Sequence, residues 1–171
     1  KLDEKQPDEA NSHEKQPDEE QPENSETDKS ENYEMDTLDI IDDEPIDFSK
    51  TVTYRGMMFT GVPNLLWVFG YFRASWTLRA DLLADFVCRL LKHMHKNDLA
   101  KVNVVLRPED TDMELLPWID PENFNPNYLT RALPILPKRG DKPEWQHTQD
   151  YWLEKDEIPA IDLDAPEFKY H

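Results

Sequence analysis

Apolar positions concentrate in one stretch of the chain, residues 54–94. Within it, two apolar runs at residues 57–59 and 65–71 are bounded by glycine or proline, a pattern that predicts buried strands. Apolar residues then recur at positions 82, 83, 86, 87, 90, 91 and 94. This spacing predicts an amphipathic helix that begins near Ser75 and ends near Asn97. The order strand, glycine turn, helix is typical of an α/β sheet, in which a helix starts where a strand ends.

Two weaker strand patterns flank this stretch. Residues 47–58 alternate apolar and polar side chains around Val52 and Tyr54, which predicts a half-exposed strand. Val102, Val104 and Leu106 alternate with Lys101, Asn103 and Val105 in a second short strand that Arg107-Pro108 ends. We therefore expect a βαβ-like unit over residues 46–107.

From residue 108 onward the chain loses its regular period and carries eight further prolines between positions 117 and 166. Regular elements must be short there, with a turn or two of helix after Asn125-Pro126 because proline is favoured at a helix start. The rest of residues 108–171 is predicted to be an extended arm anchored by Trp118, Trp145 and Trp152. Because the aromatic content is large for so small a core, we do not expect the surface under this arm to lie wholly within the chain.

Residues 1–45 differ from the rest in composition. They hold 18 of the 37 acidic and 4 of the 19 basic residues, so they account for −14 of the net charge of −18. The hexapeptide EKQPDE occurs at 4–9 and again at 14–19. A segment so poor in apolar residues cannot offset the entropy lost on folding, and we expect a disordered acidic tail. Its end, residues 33–46, interleaves acids with apolar residues, which is typical of a solvated linker, our preferred interpretation, or of a segment that folds on a partner.

The net charge and the lack of long apolar runs exclude several classes of protein. The phosphate backbone of a nucleic acid and an anionic membrane surface would both repel a chain of charge −18. No apolar run approaches the roughly 20 residues of a membrane span, and no signal core is present at the N-terminus. We expect a cytoplasmic protein with no nucleic-acid partner.

Candidate chemistry within the chain is sparse. Cys88 is the single cysteine, so an intramolecular disulfide and a cysteine zinc site are excluded, and we expect a buried packing thiol. No nucleophile elbow, metal-spaced cluster or phosphate loop is present, so no catalytic residue and no metal ligand is predicted. The four glycines lie at 56, 61, 70 and 140, which excludes a Gly-x-Gly-x-x-Gly dinucleotide fingerprint. Arg55, Arg73 and Arg79 could meet an anion, although a solvated flank is the preferred interpretation.

Several consecutive segments resemble the C-terminal part of class B flavin-dependent monooxygenases, above all the bacterial Baeyer-Villiger and ethionamide-activating enzymes. The segments are DFSKTVTYRGMMF (47–59), GVPNL (61–65), FGY (69–71), ASWTL (74–78), DL (81–82), VCRLL (87–91), NPNYL (125–129), LPKRGD (136–141) and WQHTQDY (145–151). The resemblance covers residues 46–171. It is specific, because many consecutive residues agree.

The resemblance implies two Rossmann-like domains, one for FAD and one for NADPH. It places residues 57–96 at the last strand and helix of the FAD domain, with the helix start directed at the flavin. Ser75, Trp76 and Thr77 are then the residues expected at the flavin edge. Unpaired N–H groups at a helix start stabilise negative charge, which reduced flavin develops on its pyrimidine side.

The predicted fold class is thus α/β: the C-terminal βα end of a Rossmann-like FAD domain over residues 46–107, a Pro- and Trp-rich arm over 108–171, and a disordered tail over 1–45. The family oxygenates ketones or soft nitrogen and sulfur centres through a flavin hydroperoxide. Its FAD and NADPH fingerprints would precede residue 46, where this chain has the acidic repeat, so we expect a fragment that is inactive alone. Two alternatives stay open: an interaction protein whose acidic tail binds a basic partner, and a tail joined to the monooxygenase segment by a gene-model error.

Overall fold

The computed structural model describes residues 40–41, 44–120, 122 and 126–171. The described residues belong to one compact unit. Of the predicted disordered tail, residues 1–45, residues 1–39, 42 and 43 lie outside the described part of the chain. Its last described residues, Ile40–Ile41 and Glu44–Pro45, form an antiparallel strand pair, so the prediction of disorder is wrong for them. Among the described residues, none of the helices has the length and apolar character that a membrane crossing requires.

The described chain combines helices with short antiparallel strand pairs, and this mixed α and β architecture confirms the coarser part of the predicted fold class. The strands are β1 (Ile40–Ile41), β2 (Glu44–Pro45), β3 (Thr53–Tyr54), β4 (Met58–Phe59), β5 (Val102–Val104), β6 (Leu115–Pro117), β7 (Lys138–Gly140) and β8 (Phe168–Tyr170). The helices are α1 (Trp76–Lys96), α2 (Asn127–Ala132) and α3 (Tyr151–Glu157). The strands pair as β1–β2, β3–β4, β5–β8 and β6–β7.

Helix α1 is the longest element and forms where the sequence predicts it. Leu83, Phe86, Leu90 and Met94 recur at spacings of three and four and are buried on one face. Asn97 ends the helix, and its side-chain amide donates to the His93 carbonyl at 2.9 Å. The apolar stripe thus provides one wall of the core.

The prediction of a buried Cys88 thiol is wrong, because this side chain is exposed. Cys88 lies two residues from both Phe86 and Leu90. Two residues correspond to about 200° around a helix, so Cys88 points away from the buried stripe.

The predicted buried strand at residues 65–71 is also wrong. The segment is not paired as a strand, and Leu65 and Val68 are each 39% exposed. Its backbone contact with the core is the hydrogen bond from the Trp67 amide to the Met57 carbonyl, at 2.7 Å. The apolar run has no second strand beside it among the described residues, so its other edge stays open. The other run predicted as buried, residues 57–59, contains β4 and is buried as expected.

Residues 51–54 are buried on both faces, so the prediction of a half-exposed strand there is wrong. The C-terminal segment contacts both faces: Thr53, on the face that the alternating pattern leaves polar, donates its hydroxyl to the Lys138 carbonyl at 3.4 Å. The Lys138 amide donates to the Thr51 carbonyl at 2.8 Å. The ring of Tyr54 meets those of Trp145 and Phe168 edge-on at 5.8 and 5.1 Å.

Residues 108–171 contain only short elements, as predicted, and they pack on residues of this same chain. Trp118 and Trp145 are 1% and 0% exposed and serve as anchors, whereas Trp152 is 74% exposed and the prediction for it is wrong. Trp118 lies 4.8 Å from the Trp67 ring and 4.7 Å from the Phe69 ring. The surface under Trp118 and Trp145 therefore lies within the chain, contrary to expectation.

Replacing Phe86 by alanine tests the role of the α1 stripe. Phe86 is 0% exposed, and a cavity of that size typically costs about 3–5 kcal/mol. Leu91→Ala is the matched control, since Leu91 lies on the same helix but is 59% exposed and should cost about 0.5 kcal/mol or less. Urea unfolding followed by circular dichroism measures both. Equal losses in the two variants would contradict the assignment of the buried face.

Candidate functional site

The start of α1 presents the three residues predicted at the flavin edge. Ser75, Trp76 and Thr77 are all exposed. Ser75 occupies the N-cap position without capping the backbone, and its hydroxyl lies 2.9 Å from that of Thr77. The amides of Trp76 and Thr77 belong to the first turn, which has no preceding helical carbonyl to bind. The helix start therefore offers exposed N–H donors at the positive end of a 21-residue helix.

The indole of Trp76 lies directly against the backbone of Gly70. A Cβ added to Gly70 would stand 2.2 Å from two ring carbons, a distance that no side chain tolerates. Glycine is thus required at position 70 for this close approach. Trp76 remains 49% exposed, so part of its ring forms a fixed aromatic surface beside the helix start.

A buried ion pair fixes the loop that precedes α1, residues 69–75. Arg79 and Glu154 are 1% and 3% exposed, and Arg79 Nε donates to Glu154 Oε2 at 2.8 Å. The other two guanidinium nitrogens of Arg79 donate to the carbonyls of Phe69 and Arg55, at 2.8 and 2.6 Å. The first turn of α1, the extended segment before it and helix α3 are therefore joined by one side chain.

Arg79 does not form a solvated flank, so the preferred interpretation is wrong for this residue. Arg55 is also engaged, since its NH1 lies 2.9 Å from Glu157 Oε2. Arg73 is exposed. The acid-rich sequence of α3 contains no signal that would distinguish Glu154 from its neighbours, so the partner of Arg79 could not be found before folding.

Tyr71 and Gln149 complete the support of this loop. Tyr71 donates its hydroxyl to Glu154 Oε2 at 2.7 Å. Burial, and then the bond to Glu154, raise the pKa of Tyr71 well above its usual range, so the phenol remains a donor. The Gln149 side chain accepts from the Phe72 amide at 2.8 Å and donates to the Gly70 carbonyl at 3.3 Å. Residues from the α3 region thus hold the loop on both sides of Tyr71.

His147 is packed beneath this loop next to Trp118. The two rings are 4.8 Å apart and tilted by 31°, and His147 Nε2 lies 2.5 Å from the Trp118 carbonyl oxygen. Burial lowers the pKa of His147 to about 4, so the ring is neutral at physiological pH. Gly56, at φ 63°, allows the approach, since a Cβ there would stand 2.6 Å from His147 Cβ.

A second buried charge cluster surrounds Asp110, which is 2% exposed. Its carboxylate accepts two bonds from the Arg107 side chain at 2.9 and 3.0 Å, one from Trp145 Nε1 at 3.0 Å and one from Lys142 at 3.2 Å. These donors, Arg107 first, hold the pKa of Asp110 well below its usual range. The cluster fixes Trp145 in the core. Among the described residues, no group of three or more potential ligands could hold a metal ion.

Removing the charge of Arg79 should be strongly destabilising. Arg79→Met leaves Glu154 buried without its partner, which typically costs about 3–5 kcal/mol. The double variant Arg79→Met with Glu154→Leu leaves no unpaired charge at this position, so it should be more stable than Arg79→Met alone. Urea unfolding of the single and double variants measures this, with exposed Arg131→Met as the control. A double variant no more stable than the single one would show that the ion pair is not the source of the loss.

Stability should depend on pH through His147. The folded pKa of about 4 lies below the unfolded value of roughly 6.5, so only the unfolded chain takes up this proton as the pH falls between them. The stabilising contribution is present near neutral pH and is lost by about pH 4. It amounts to as much as about 3 kcal/mol. Urea unfolding across this range should give a steeper decline for the wild type than for His147→Gln, and parallel curves would contradict the assignment.

A comparison with known proteins finds similar sequences among monooxygenases named for FAD. The FAD-containing monooxygenase EthA of Mycobacterium tuberculosis is 44% identical over 111 residues, which make up 65% of this chain and 22% of EthA. The probable FAD-binding monooxygenase AlmA of Acinetobacter baylyi is 36% identical over 115 residues, 67% of this chain and 22% of AlmA. The putative FAD-containing monooxygenase MymA of M. tuberculosis is 34% identical over 117 residues, 68% of this chain and 22% of MymA.

No family model matches the chain, and no solved structure matches it. The chain spans about a fifth of the length of the curated relatives named above. Each of the three differently named proteins matches about two thirds of this chain. The resemblance seen in the sequence is therefore confirmed: over about two thirds of its length this chain is similar to proteins named as FAD-containing or FAD-binding monooxygenases.

Proposed function

We propose that this chain is the C-terminal part of a class B flavin-dependent monooxygenase whose intact form uses FAD and NADPH to oxygenate ketones or soft nitrogen and sulfur centres. The observation that carries the proposal is the segment shared with EthA, AlmA and MymA, each named for FAD. In this proposal, residues 46–107 supply the closing βα unit of the FAD domain. Residues 108–171 supply the arm that holds it, and residues 1–45 are an acidic tail.

Ser75, Trp76 and Thr77 are proposed to contact the edge of the flavin. The residues fit this role, since all three are exposed at the first turn of the helix and the Trp76 ring is held in place against Gly70. Bound FAD would supply the activation of dioxygen. The helix start would stabilise negative charge on the ring edge, and the Trp76 indole would limit the access of water to it.

The isolated chain is proposed to be inactive. It lacks the glycine fingerprint that would hold a pyrophosphate at a helix start. The open edge at residues 65–68 is flanked by apolar grooves of about 280 and 300 Å³, and Leu65 and Leu66 line both. Uncovered apolar surface beside an unpaired backbone edge is what a sheet leaves when its neighbouring strands are absent. The remaining four fifths of a relative would supply those strands.

Flavin content and NADPH consumption test this proposal. The purified chain should show no flavin absorbance, and adding FAD and NADPH with a ketone or a thioether should not cause substrate-dependent loss of NADPH. Bound flavin together with such a loss would overturn the proposed inactivity while leaving the family assignment in place. Co-expression with EthA from which the matched segment has been deleted should give an assembly that retains FAD. Failure to retain FAD would contradict the proposed position of this segment in the FAD domain.

The proposed flavin contacts are tested in that assembly. Trp76→Ala should weaken FAD binding about tenfold, equivalent to about 1.4 kcal/mol, because it removes the aromatic surface beside the ring edge. The matched control is Tyr128→Ala on α2, an aromatic residue that is 63% exposed and distant in sequence. Fluorescence titration of the apo assembly with FAD measures both affinities. Equal affinities for Trp76→Ala and the control would exclude Trp76 from the flavin site.

A further inference from the structure

A cleft of about 450 Å³ lies beside the loop that leads into α1, and nothing described above assigns a ligand to it. Two guanidinium groups, those of Arg73 and Arg139, line it. One carboxylate, that of Asp120, opposes them within the described lining. The cleft is therefore locally positive in a chain whose net charge is −18.

The deeper lining of the cleft includes Trp118 and His147, and each leaves one polar atom unmatched. Trp118 is 1% exposed, and its Nε1–H has no hydrogen-bond partner among the described residues. An unsatisfied buried donor typically costs about 1–3 kcal/mol, so such a group in a native structure calls for a ligand or a water molecule.

The unmatched atom of His147 has the opposite character. Its Nε2 carries the proton, because it faces the Trp118 carbonyl oxygen at 2.5 Å and a carbonyl can only accept. In the neutral ring Nδ1 is then an acceptor, and this buried atom has no partner in the part of the chain that the structure describes. One donor and one acceptor are thus available on neighbouring rings.

We propose that the cleft binds a small oxyanion that also carries a hydroxyl group, such as a hydroxycarboxylate or a hydrogen phosphate. An anionic oxygen accepts the Trp118 Nε1–H bond, the ligand hydroxyl donates to His147 Nδ1, and Arg73 and Arg139 neutralise the charge. Guanidinium groups suit carboxylate and phosphate oxygens, because their N–H donors form a planar fork. The inference is independent of the proposed flavin contacts.

Access to the two buried atoms requires a movement of the cleft wall. Arg73 and Thr148 line the cleft and are exposed. In this proposal the ligand enters by rotamer changes of exposed side chains such as Thr148, which occur within nanoseconds and leave the fold unchanged. The long-range repulsion of an anion by the acidic chain is screened at physiological salt, beyond a Debye length of about 8 Å.

Nuclear magnetic resonance of the indole N–H groups in the full chain tests the proposal. The chain has five tryptophans, and Trp118→Phe identifies the Trp118 signal. Inorganic phosphate and glycolate are titrated separately, which distinguishes the two ligand sources, and acetate serves as the analogue without a hydroxyl. We expect phosphate or glycolate to move the Trp118 signal downfield with a dissociation constant of about 1 mM, equivalent to about 4 kcal/mol. Acetate should bind about tenfold more weakly than glycolate.

Two charge variants distinguish binding in the cleft from a general effect of the chain's net charge on anion affinity. Arg139→Gln should weaken binding about tenfold, whereas Arg131→Gln, which removes the same charge from exposed α2, should leave it unchanged. If Arg139→Gln does not fold, Arg73→Gln takes its place, because Arg73 is exposed. A Trp118 signal that moves with neither anion, or equal weakening by the two charge variants, would overturn the proposal.

Discussion

The buried ion pair between Arg79 and Glu154 is the interaction on which the candidate site depends. Two charges taken out of water are tolerated only when their hydrogen-bonding capacity is used, and here it is. Arg79 binds the carboxylate and two backbone carbonyls, and the carboxylate also accepts from Tyr71. The pair lies between α3 and the first turn of α1. The position of the exposed helix start is therefore set by a contact with the C-terminal part of the chain.

The C-terminal segment, residues 108–171, supplies both strands and buried side chains to the core. Strand β8 pairs with β5, and β7 pairs with β6. Trp145 is held in the core by Asp110, whose carboxylate is satisfied by three different side chains. Such clusters are costly when one partner is lost, because the remaining charge is buried. Because the strands are short and form few backbone hydrogen bonds, side-chain networks such as the one around Asp110 also stabilise this part of the fold.

The exposed apolar edge at residues 65–68 reflects backbone pairing on one side only. The run has the composition of a strand covered on both faces, yet only the side next to Met57 is paired. Among the described residues no second strand lies beside this run, and this accounts for the difference from the predicted buried strand.

The sequence by itself determined helix α1, the start of that helix near Ser75, the short elements after residue 108 and the relationship to FAD-containing monooxygenases. These depend on local spacing, on proline and on runs of shared residues, all of which are visible along the chain. Only the tertiary structure decided that Arg79 pairs with Glu154, that residues 51–54 are covered on both faces and that Trp118 and His147 line one cleft. Arg79 and Glu154 are 75 residues apart. No local pattern specifies which of many similar acids a buried guanidinium will meet, because burial and pairing are set by packing between distant segments.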